Sequence, residues 1–368
     1  MIAELGSFSL VLAIVAALLL IVAAAGPRMR LMCRPLALAF AAFMALAFAA
    51  LLVLFARIDT SVAVVAAYAT PDMPLAYRLS AAWGHHEGSM LLFAAVLAVY
   101  TAVLACGGRP TRARGTALAI MGALGAMLAL YTHFLSSPFA RLNPAPMPAA
   151  GFNPILEDPL LVIHPPILYL GLAGLALPFA WTLSMLVTGR GGARLRPSLF
   201  MPFAFLTAGI ALGAFWSFYE LGWGGYWAWD PVENSALIPW LLVAAALHAP
   251  SRHRVGPSAL LLTVLAFLSV LGGLFMVRAG VIDSIHTFAA APGRGIALLG
   301  IFVGVSLAST ALFVLRAPAT GPISRSERVP ALASMLLAGM AATVALGTLY
   351  PIIYSPLTGR AITIGPAY

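Results

Sequence analysis

Lysine is absent from this chain of 368 residues, and charged residues of every kind make up only 8% of it. Hydrophobic residues make up 62%, a share that soluble domains of ordinary composition do not reach. All 20 basic residues are arginines set between long apolar runs, so the high pI does not describe a nucleic-acid patch. The composition therefore predicts an integral membrane protein in a lipid bilayer, with no nucleic-acid partner.

Cysteine is almost as scarce. Cys33 and Cys106 stand alone and form no CxxC, which argues against a disulfide framework or a thiol relay. We interpret both as small apolar residues. Ahead of the first apolar run the chain carries Glu4 and no basic segment, which favours a retained anchor over a cleaved signal peptide. No linker, repeat or low-complexity tail marks a second domain, so one membrane domain is predicted over 1–368.

Apolar runs of roughly 20 residues predict an all-α, polytopic transmembrane bundle. About ten such runs are present. The predicted spans are 7–25, 36–57, 88–106, 115–136, 160–187, 199–219, 231–249, 257–277, 295–316 and 331–354.

The arginines are unevenly distributed among the loops between these spans. Fourteen of the 20 lie in the odd-numbered loops. By the positive-inside rule, those loops are cytoplasmic and both termini are extracytoplasmic. Ten of the eleven acidic residues, all but Glu327, then lie on the outer side. We therefore expect the chemistry in the outer loops 58–87, 137–164, 220–235 and 278–294.

The densest chemical signal is the run Trp-Gly-Gly-Tyr-Trp-Ala-Trp-Asp-Pro-Val-Glu-Asn-Ser at 223–235. Three of the seven tryptophans fall within seven residues, at Trp223, Trp227 and Trp229. One interpretation is an interfacial aromatic belt with no chemical role. The density of rings beside Gly224 and Gly225 favours the other, a flat aromatic surface next to a flexible backbone.

The end of this run also predicts a helix start. Asp230 is a suitable N-cap, Pro231 suits the first helical position, and Glu233 is placed to close a capping box. An aromatic belt needs neither these carboxylates nor Asn234 in the same turn. The aromatic surface is therefore expected at the start of a helix.

Two outer histidines flank the run in sequence. His164 precedes Pro165 and Pro166, and the restriction on residues before proline predicts it as the last non-helical residue before the fifth span. His286 falls in the eighth loop. Either one alone is readily interpreted as a hydrogen-bonded loop histidine. Two imidazoles on one side of a membrane are also suited to bind a metal ion.

His248 lies 18 residues after Asp230, or about 27 Å along a helix. An ionisable group at membrane depth suggests a functional site, although a histidine snorkelling at the helix end is the alternative. A further run, Trp-Gly-His-His-Glu-Gly-Ser, leads into the third span from Trp83. There Glu87 and Ser89 are suited to cap the helix. Alternatively, His86 and Glu87 line a cleft.

The two remaining histidines, His133 and His253, are interpreted as structural. Both lie near predicted span ends, and neither belongs to a recognisable run.

The tryptophan-rich run resembles the signature of the haem-handling superfamily of cytochrome c biogenesis, which includes the CcmF, CcsA and CcmC proteins. Its continuation, Asp-Pro-Val-Glu-Asn-Ser, resembles that of CcmF-type haem lyase subunits. The run from Trp83 is similar to another family run, Trp-Gly-x-His-Glu-Gly-Ser, with His85 at the variable position. The resemblance implies that His164 and His286 ligate a substrate haem b, and that His248 ligates a second haem b within the membrane.

Further residues are implied to bind haem. Outer arginines near the same loops, Arg78, Arg278 and Arg294, are candidates for the propionates. The other implied haem-binding residues are Trp83, His86, Glu87, Trp223, Gly224, Gly225, Trp227, Trp229, Asp230, Glu233 and Asn234.

The resemblance implies a cytochrome c haem lyase of the bacterial inner membrane, with its functional loops in the periplasm. Such an enzyme joins haem vinyl groups as thioethers to the cysteines of an apocytochrome c CxxCH motif. The implied partners are a haem chaperone, the apocytochrome, a thiol-presenting subunit and a second chain carrying further helices. No catalytic base is demanded by the sequence. A haem exporter or chaperone loader is the nearest alternative, followed by a non-haem transporter or quinol-linked respiratory subunit.

Overall fold

The secondary structure is helical throughout the part of the chain that the computed structural model describes, which is residues 1–147, 157–220, 225–227, 229–250, 255–280, 292–319, 321 and 323–360. A single isolated bridge joins Val62 to Arg141 there. The α-helices in chain order are α1 (Ile2–Ala25), α2 (Cys33–Arg57), α3 (Ala63–Tyr68), α4 (Leu75–Ala81), α5 (His86–Cys106), α6 (Arg112–Phe134), α7 (Pro159–Gly174), α8 (Ala176–Thr188), α9 (Leu195–Glu220), α10 (Pro231–His248), α11 (Pro257–Ala279), α12 (Pro292–Arg316) and α13 (Arg328–Thr358).

Nine helical segments among the described residues are long and apolar enough to cross a membrane, which confirms the all-α polytopic class. Each of the ten predicted runs contains a helix. The fifth run is interrupted at Leu175, between α7 and α8. The predicted span that is missing from these nine segments is the one containing α10. That helix is only 18 residues long and carries Glu233, Asn234 and His248.

The chain forms two compact units, Met1–Ala180 and Trp181–Tyr368. In the first, α5 packs against α2, α6 and α7, while α1 packs against α2 and α6. Close approach depends on small residues, as in many membrane helix pairs. A Cβ at Gly125 of α6, for example, would lie 2.6 Å from the ring of Phe40 in α2.

One end of the first unit is held by its loops. The amide of Ala63 donates to Ala140 O at 2.9 Å, and the amide of Leu142 donates to Ser61 O at 2.8 Å. Between them Arg141 donates to both carboxylate oxygens of Glu4 on α1, at 2.7 and 2.9 Å. The loop before α3 and the loop after α6 are therefore fixed to the start of α1.

In the second unit α10 is the central helix and packs against α9, α11 and α13. Two hydrogen bonds define its antiparallel register with α13. Asn234 Nδ2 donates to Thr348 Oγ1 at 3.0 Å, and Ser334 Oγ donates to Ala245 O at 2.9 Å. The carboxyl end of α10 is capped from α9, because Arg196 donates to Leu247 O at 2.6 Å.

Candidate functional site

The turn into α5 is organised by His85, the residue that the sequence placed at a variable position. Its ring is the N-cap of α5: Nε2 accepts from the Gly88 amide at 3.1 Å, and Nδ1 contacts Ala81 O at 2.7 Å. A carbonyl oxygen only accepts, so Nδ1 carries the proton and the ring is neutral. Both ring nitrogens of His85 are therefore used by the backbone.

The surroundings of His85 favour the same neutral form. The ring is 1% exposed and lies against Tyr68 and Phe55, with ring centroids at 5.1 and 5.7 Å. Burial lowers the pKa of His85 below its ordinary range, and the Glu87 carboxylate opposes that shift. Sequence reasoning missed this role because histidine is not among the preferred N-cap residues.

The N-cap of α5 is His85, and not Ser89 or Glu87 as the capping interpretation of the sequence expected. Ser89 Oγ instead donates to His86 O at 3.0 Å, within the first turn of α5. Gly88 accounts for the tightness of this turn, because a Cβ there would overlap the carbonyl oxygen of Ala82. The small residue at position 88 is therefore required by the backbone around it.

His86 is buried, and its Nε2 lies 3.3 Å from the hydroxyl oxygen of Tyr131 on α6. The tyrosine was not expected from the sequence, since only the tertiary packing of α5 on α6 brings the two together. Trp83 stacks on Phe48 of α2, and its buried indole N–H has no hydrogen-bond acceptor among the described residues. Glu87 is half-buried beside them.

His164 lies inside a helix, so its prediction as the last non-helical residue is wrong. Helix α7 begins five residues earlier at Pro159, and its N-cap is Asp158, whose carboxylate accepts from the Leu160 amide at 2.7 Å. The cap outweighs the local preference of a residue before proline, and the helix continues through Pro165 and Pro166. His164 is half-buried there.

The helix start predicted at Asp230 is confirmed. Its carboxylate accepts from the amides of Val232 at 2.8 Å and Glu233 at 3.3 Å, and Pro231 occupies the first helical position. One residue earlier, Trp229 has a φ of 58°, in the left-handed region that costs a non-glycine residue about 1–2 kcal/mol. The backbone is therefore strained at the residue directly before the N-cap of α10.

Asn234 forms the buried polar contact of this helix start. It is 0% exposed, and its amide nitrogen binds Thr348 of α13, while its oxygen Oδ1 has no hydrogen-bond donor among the described residues. Thr348 is a residue that sequence reasoning missed. Its hydroxyl accepts the hydrogen bond from Asn234 of α10 and also donates to Val344 O, within α13, at 2.7 Å.

The aromatic rings of the described part of the run remain accessible. Trp227 and Trp229 are half-buried, and Tyr226 is 55% exposed and stacks on Phe218 with centroids 4.4 Å apart. A Cβ at Gly225 would have no neighbour within 4 Å among the residues that the structure describes. Trp223, Gly224, His253 and His286 lie outside the described residues.

His248 is the last residue of α10 and is exposed. Its Nδ1 contacts Ala244 O at 2.8 Å, and this contact places the proton on Nδ1. The nitrogen that the backbone does not engage, Nε2, is the one that a metal-ligating imidazole in this position would use. No cluster of three or more metal-ligating side chains occurs in the described ranges.

The outer arginines differ in their surroundings. Arg78 donates to Ala56 O at 3.2 Å and is half-buried, whereas Arg278, at the end of α11, is only 5% exposed. Arg294 is half-buried in the first turn of α12. Cys33 and Cys106 are both free, as expected.

The fold defines a multi-pass α-helical membrane protein in which Asp158, Asp230 and His85 cap the ends of helices. The family model "Cytochrome C assembly protein" matches residues 83–282, which include the run from Trp83 and the tryptophan-rich run at 223–235. The chain belongs to this family of cytochrome c assembly proteins.

Curated relatives match the whole chain. It is 39% identical over 389 residues to "Cytochrome c-type biogenesis protein ccl1" of Rhodobacter capsulatus, covering 60% of that protein. It is also 39% identical to "Cytochrome c-type biogenesis protein CcmF" of Pseudomonas aeruginosa and 36% identical to that of Escherichia coli, covering 59% and 60% of them. The chain thus spans about three fifths of the length of these relatives.

A solved structure, "Cytochrome c Heme Lyase CcmF", superposes with a TM-score of 0.79 at 28% identity. The superposition covers 96% of this chain and 57% of that one.

Proposed function

We propose that this chain carries the haem-handling part of a cytochrome c haem lyase. The observation that carries the proposal is the match of the whole chain to CcmF relatives and to a haem lyase structure, together with a strained, accessible tryptophan turn at the start of α10. The run from Trp83 and the run at 223–235 also carry the residues that the family resemblance implies. The chemistry proposed is thioether formation between haem vinyl groups and the cysteine thiols of an apocytochrome c.

The balance of this reaction explains why the chain supplies no obvious acid or base. Each thiol adds across a vinyl double bond: sulfur bonds to one carbon, the thiol hydrogen ends on the other, and nothing is oxidised. The protein then has to hold the haem vinyl group and the cysteine thiol close together in a reactive orientation, which by itself accelerates a reaction strongly. In this proposal His164 and His286 would bind the iron of the substrate haem, and Trp227 and Trp229 would contact its macrocycle.

Charge supports the same assignment. Haem carries two propionates, and anionic groups of that kind are bound by guanidinium donors. Arg278 is a buried arginine, and Arg294 follows in the first turn of the next helix. Both belong to the outer set named from the sequence, and we propose them as propionate partners.

His248 fits a second, resident haem b. Its Nδ1 is engaged by Ala244 O, so Nε2 is the nitrogen that would bind iron. Its exposed position suits a group shared with residues beyond this part of the chain or with a partner chain. When bound, such a haem would supply electrons that keep the substrate haem reduced.

Visible spectroscopy of the detergent-purified protein tests haem ligation. Wild-type protein is expected to show a Soret band, and the combined variant His164→Ala, His286→Ala is expected to lose most of it. His133→Ala is the matched control, because His133 is a half-buried histidine that the proposal does not use. An unchanged band in the combined variant would contradict the assignment, and no band in wild-type protein would favour a non-haem transporter or quinol-linked subunit.

A cell experiment tests the reaction. Deletion of this protein from a bacterium that carries it in the inner membrane should leave the haem chaperone loaded with haem, while holocytochrome c disappears from the periplasm. An empty chaperone would instead identify a haem exporter or loader. Copurification of apocytochrome c, a thiol-presenting subunit and a second multi-span chain is the expected result for the partners.

A further inference from the structure

A basic cavity lies at the end of the first unit opposite to the Glu4 and Arg141 contacts. It encloses about 220 Å³. Its walls come from two connections, the one between α1 and α2 and the one between α5 and α6. The lining residues that matter are Arg30, Arg34, Cys33, Thr111 and Arg114.

The charge of this cavity is one-sided. Three of its lining residues are arginines and none is an aspartate or glutamate. The sequence supplies no acidic residue anywhere in 5–58 or 88–156, which contain both connections. Neighbouring guanidinium groups repel one another, and an anion bound between them would relieve that repulsion.

Two of the three lining arginines are held by backbone carbonyls at the ends of helices. Arg114 is 6% exposed and donates to the carbonyls of Leu104 at 3.2 Å and Gly107 at 2.9 Å, at the carboxyl end of α5. Arg30 Nε donates to Ala24 O at 3.3 Å, at the carboxyl end of α1. Gly115 permits this approach, since a Cβ there would lie 3.1 Å from Arg30 Nε.

The cavity is also open to its surroundings. Arg34 and Thr111 at its mouth are exposed, while Cys33, Arg114 and Gly115 form a buried floor. Guanidinium groups recognise phosphate through paired N–H donors. Basic pockets between membrane helices on the cytoplasmic side are suited to phospholipid headgroups, and the arginine bias of the loops predicts that side for this end.

We propose that this cavity is a binding site for a phosphate anion, supplied either by an anionic phospholipid headgroup or by free phosphate. The site is separate from the haem-handling residues and does not depend on the proposed lyase function. Occupancy would neutralise Arg30 and Arg34 and stabilise the junction between the α1–α2 pair and the α5–α6 pair.

Thermal unfolding of the full chain tests the site. The protein is reconstituted into vesicles of phosphatidylcholine alone or of phosphatidylcholine with phosphatidylglycerol, and a third sample in phosphatidylcholine receives inorganic phosphate. The double variant Arg30→Gln, Arg34→Gln removes two cavity charges. The matched control is Arg109→Gln, Arg112→Gln, which removes two charges from the same end of the unit without touching the cavity lining.

The expected result is a rise in Tm of several degrees with phosphatidylglycerol, lost in the cavity variant and kept in the control. A rise with inorganic phosphate that shows the same dependence would support the site and identify free phosphate as the source. An equal loss in both variants would overturn the proposal, because it would show only a general effect of surface charge. No rise in the wild-type protein with either anion would overturn it as well.

Native mass spectrometry gives a second readout that does not depend on stability. One phosphatidylglycerol molecule is expected to remain bound to wild-type protein and to the control variant. Its retention by the cavity variant at the same level would contradict the proposal.

Discussion

Two turns, one in each unit, lead into a helix that begins with a side-chain cap, and the two turns differ in how tightly they are packed. The turn before α5 is closed: His85 uses both ring nitrogens on the backbone, and Gly88 has no room for a Cβ. The turn before α10 is more open in the described part of the chain: no residue there lies within 4 Å of a Cβ at Gly225, and Trp229 has a left-handed conformation. We infer that the first is mainly scaffold, whereas the second keeps its rings available to a ligand.

The largest expected effect is the loss of stability on replacing the glycine of the closed turn, Gly88, with alanine. Gly88→Ala forces the new Cβ into Ala82 O, so the backbone of the turn must move. A loss of roughly 3 kcal/mol or more is expected, as for severe overpacking. Gly225→Ala is the control and should stay within about 0.5 kcal/mol of wild type. Thermal unfolding in detergent measures both, and equal losses would remove the contrast between the turns.

His85→Ala should have the next largest effect. It removes the partner of the buried Gly88 amide and of Ala81 O, and it leaves a void between Phe55 and Tyr68. The expected loss is about 2–4 kcal/mol. His85→Asn should recover part of it, because asparagine is a good N-cap. If alanine were tolerated as well as asparagine, capping would not be the role of this ring.

A smaller effect is expected at the buried contact below the open turn. Thr348→Val keeps the shape but removes the acceptor of Asn234 Nδ2, so a loss of about 1–2 kcal/mol is expected. Thr343→Val is the control, since Thr343 lies on the same helix and its exposed hydroxyl donates to Gly339 O within that helix. Similar Tm values for the two variants would argue against a stabilising role for the Asn234 contact.

The pH dependence of stability should also separate the turns. Burial lowers the pKa of His85 in the folded protein, while the unfolded residue titrates near its ordinary value of about 6.5. Below that value the unfolded state takes up a proton that the folded state does not, so stability falls as pH falls from about 7 to 5. His85→Asn should flatten this part of the profile, and an unchanged slope would exclude His85 as its source.

The smallest effect is expected at the surface ion pairs of the first unit. Glu4 is 59% exposed and Arg141 is 34% exposed. Solvent screens such contacts, so Arg141→Ala should cost at most about 1 kcal/mol, and less in high salt. A loss comparable with that of His85→Ala would mean that the loop contacts, and not the buried turn, hold this end together.

The sequence was sufficient where the signal is local. Long apolar runs predicted the helices because hydrocarbon leaves the backbone no other partners. Asp230 followed by Pro231 predicted a helix start correctly, because a cap acts within one turn. His164 shows the limit of local rules, since a cap at Asp158 carried the helix through a residue that the following proline disfavours.

The candidate sites were less accessible from the sequence. Trp83, His86 and Glu87 were identified as a group, but Tyr131 and Thr348 were not, because each reaches its partner from a helix distant in the chain. The haem-binding roles of His164, His248 and His286 remain predictions. The basic cavity was likewise invisible, since its arginines were assigned only to two separate loops.

By itself the sequence determined that this protein is a helical membrane protein and which residue types gather between its spans, because hydropathy and capping are properties of short segments. Only the tertiary structure decided that His85 is a neutral cap, that Asn234 meets Thr348, and that Arg30, Arg34 and Arg114 share one cavity. Those outcomes depend on which helix faces pack together, and long-range packing is set by the shapes of all the side chains at once.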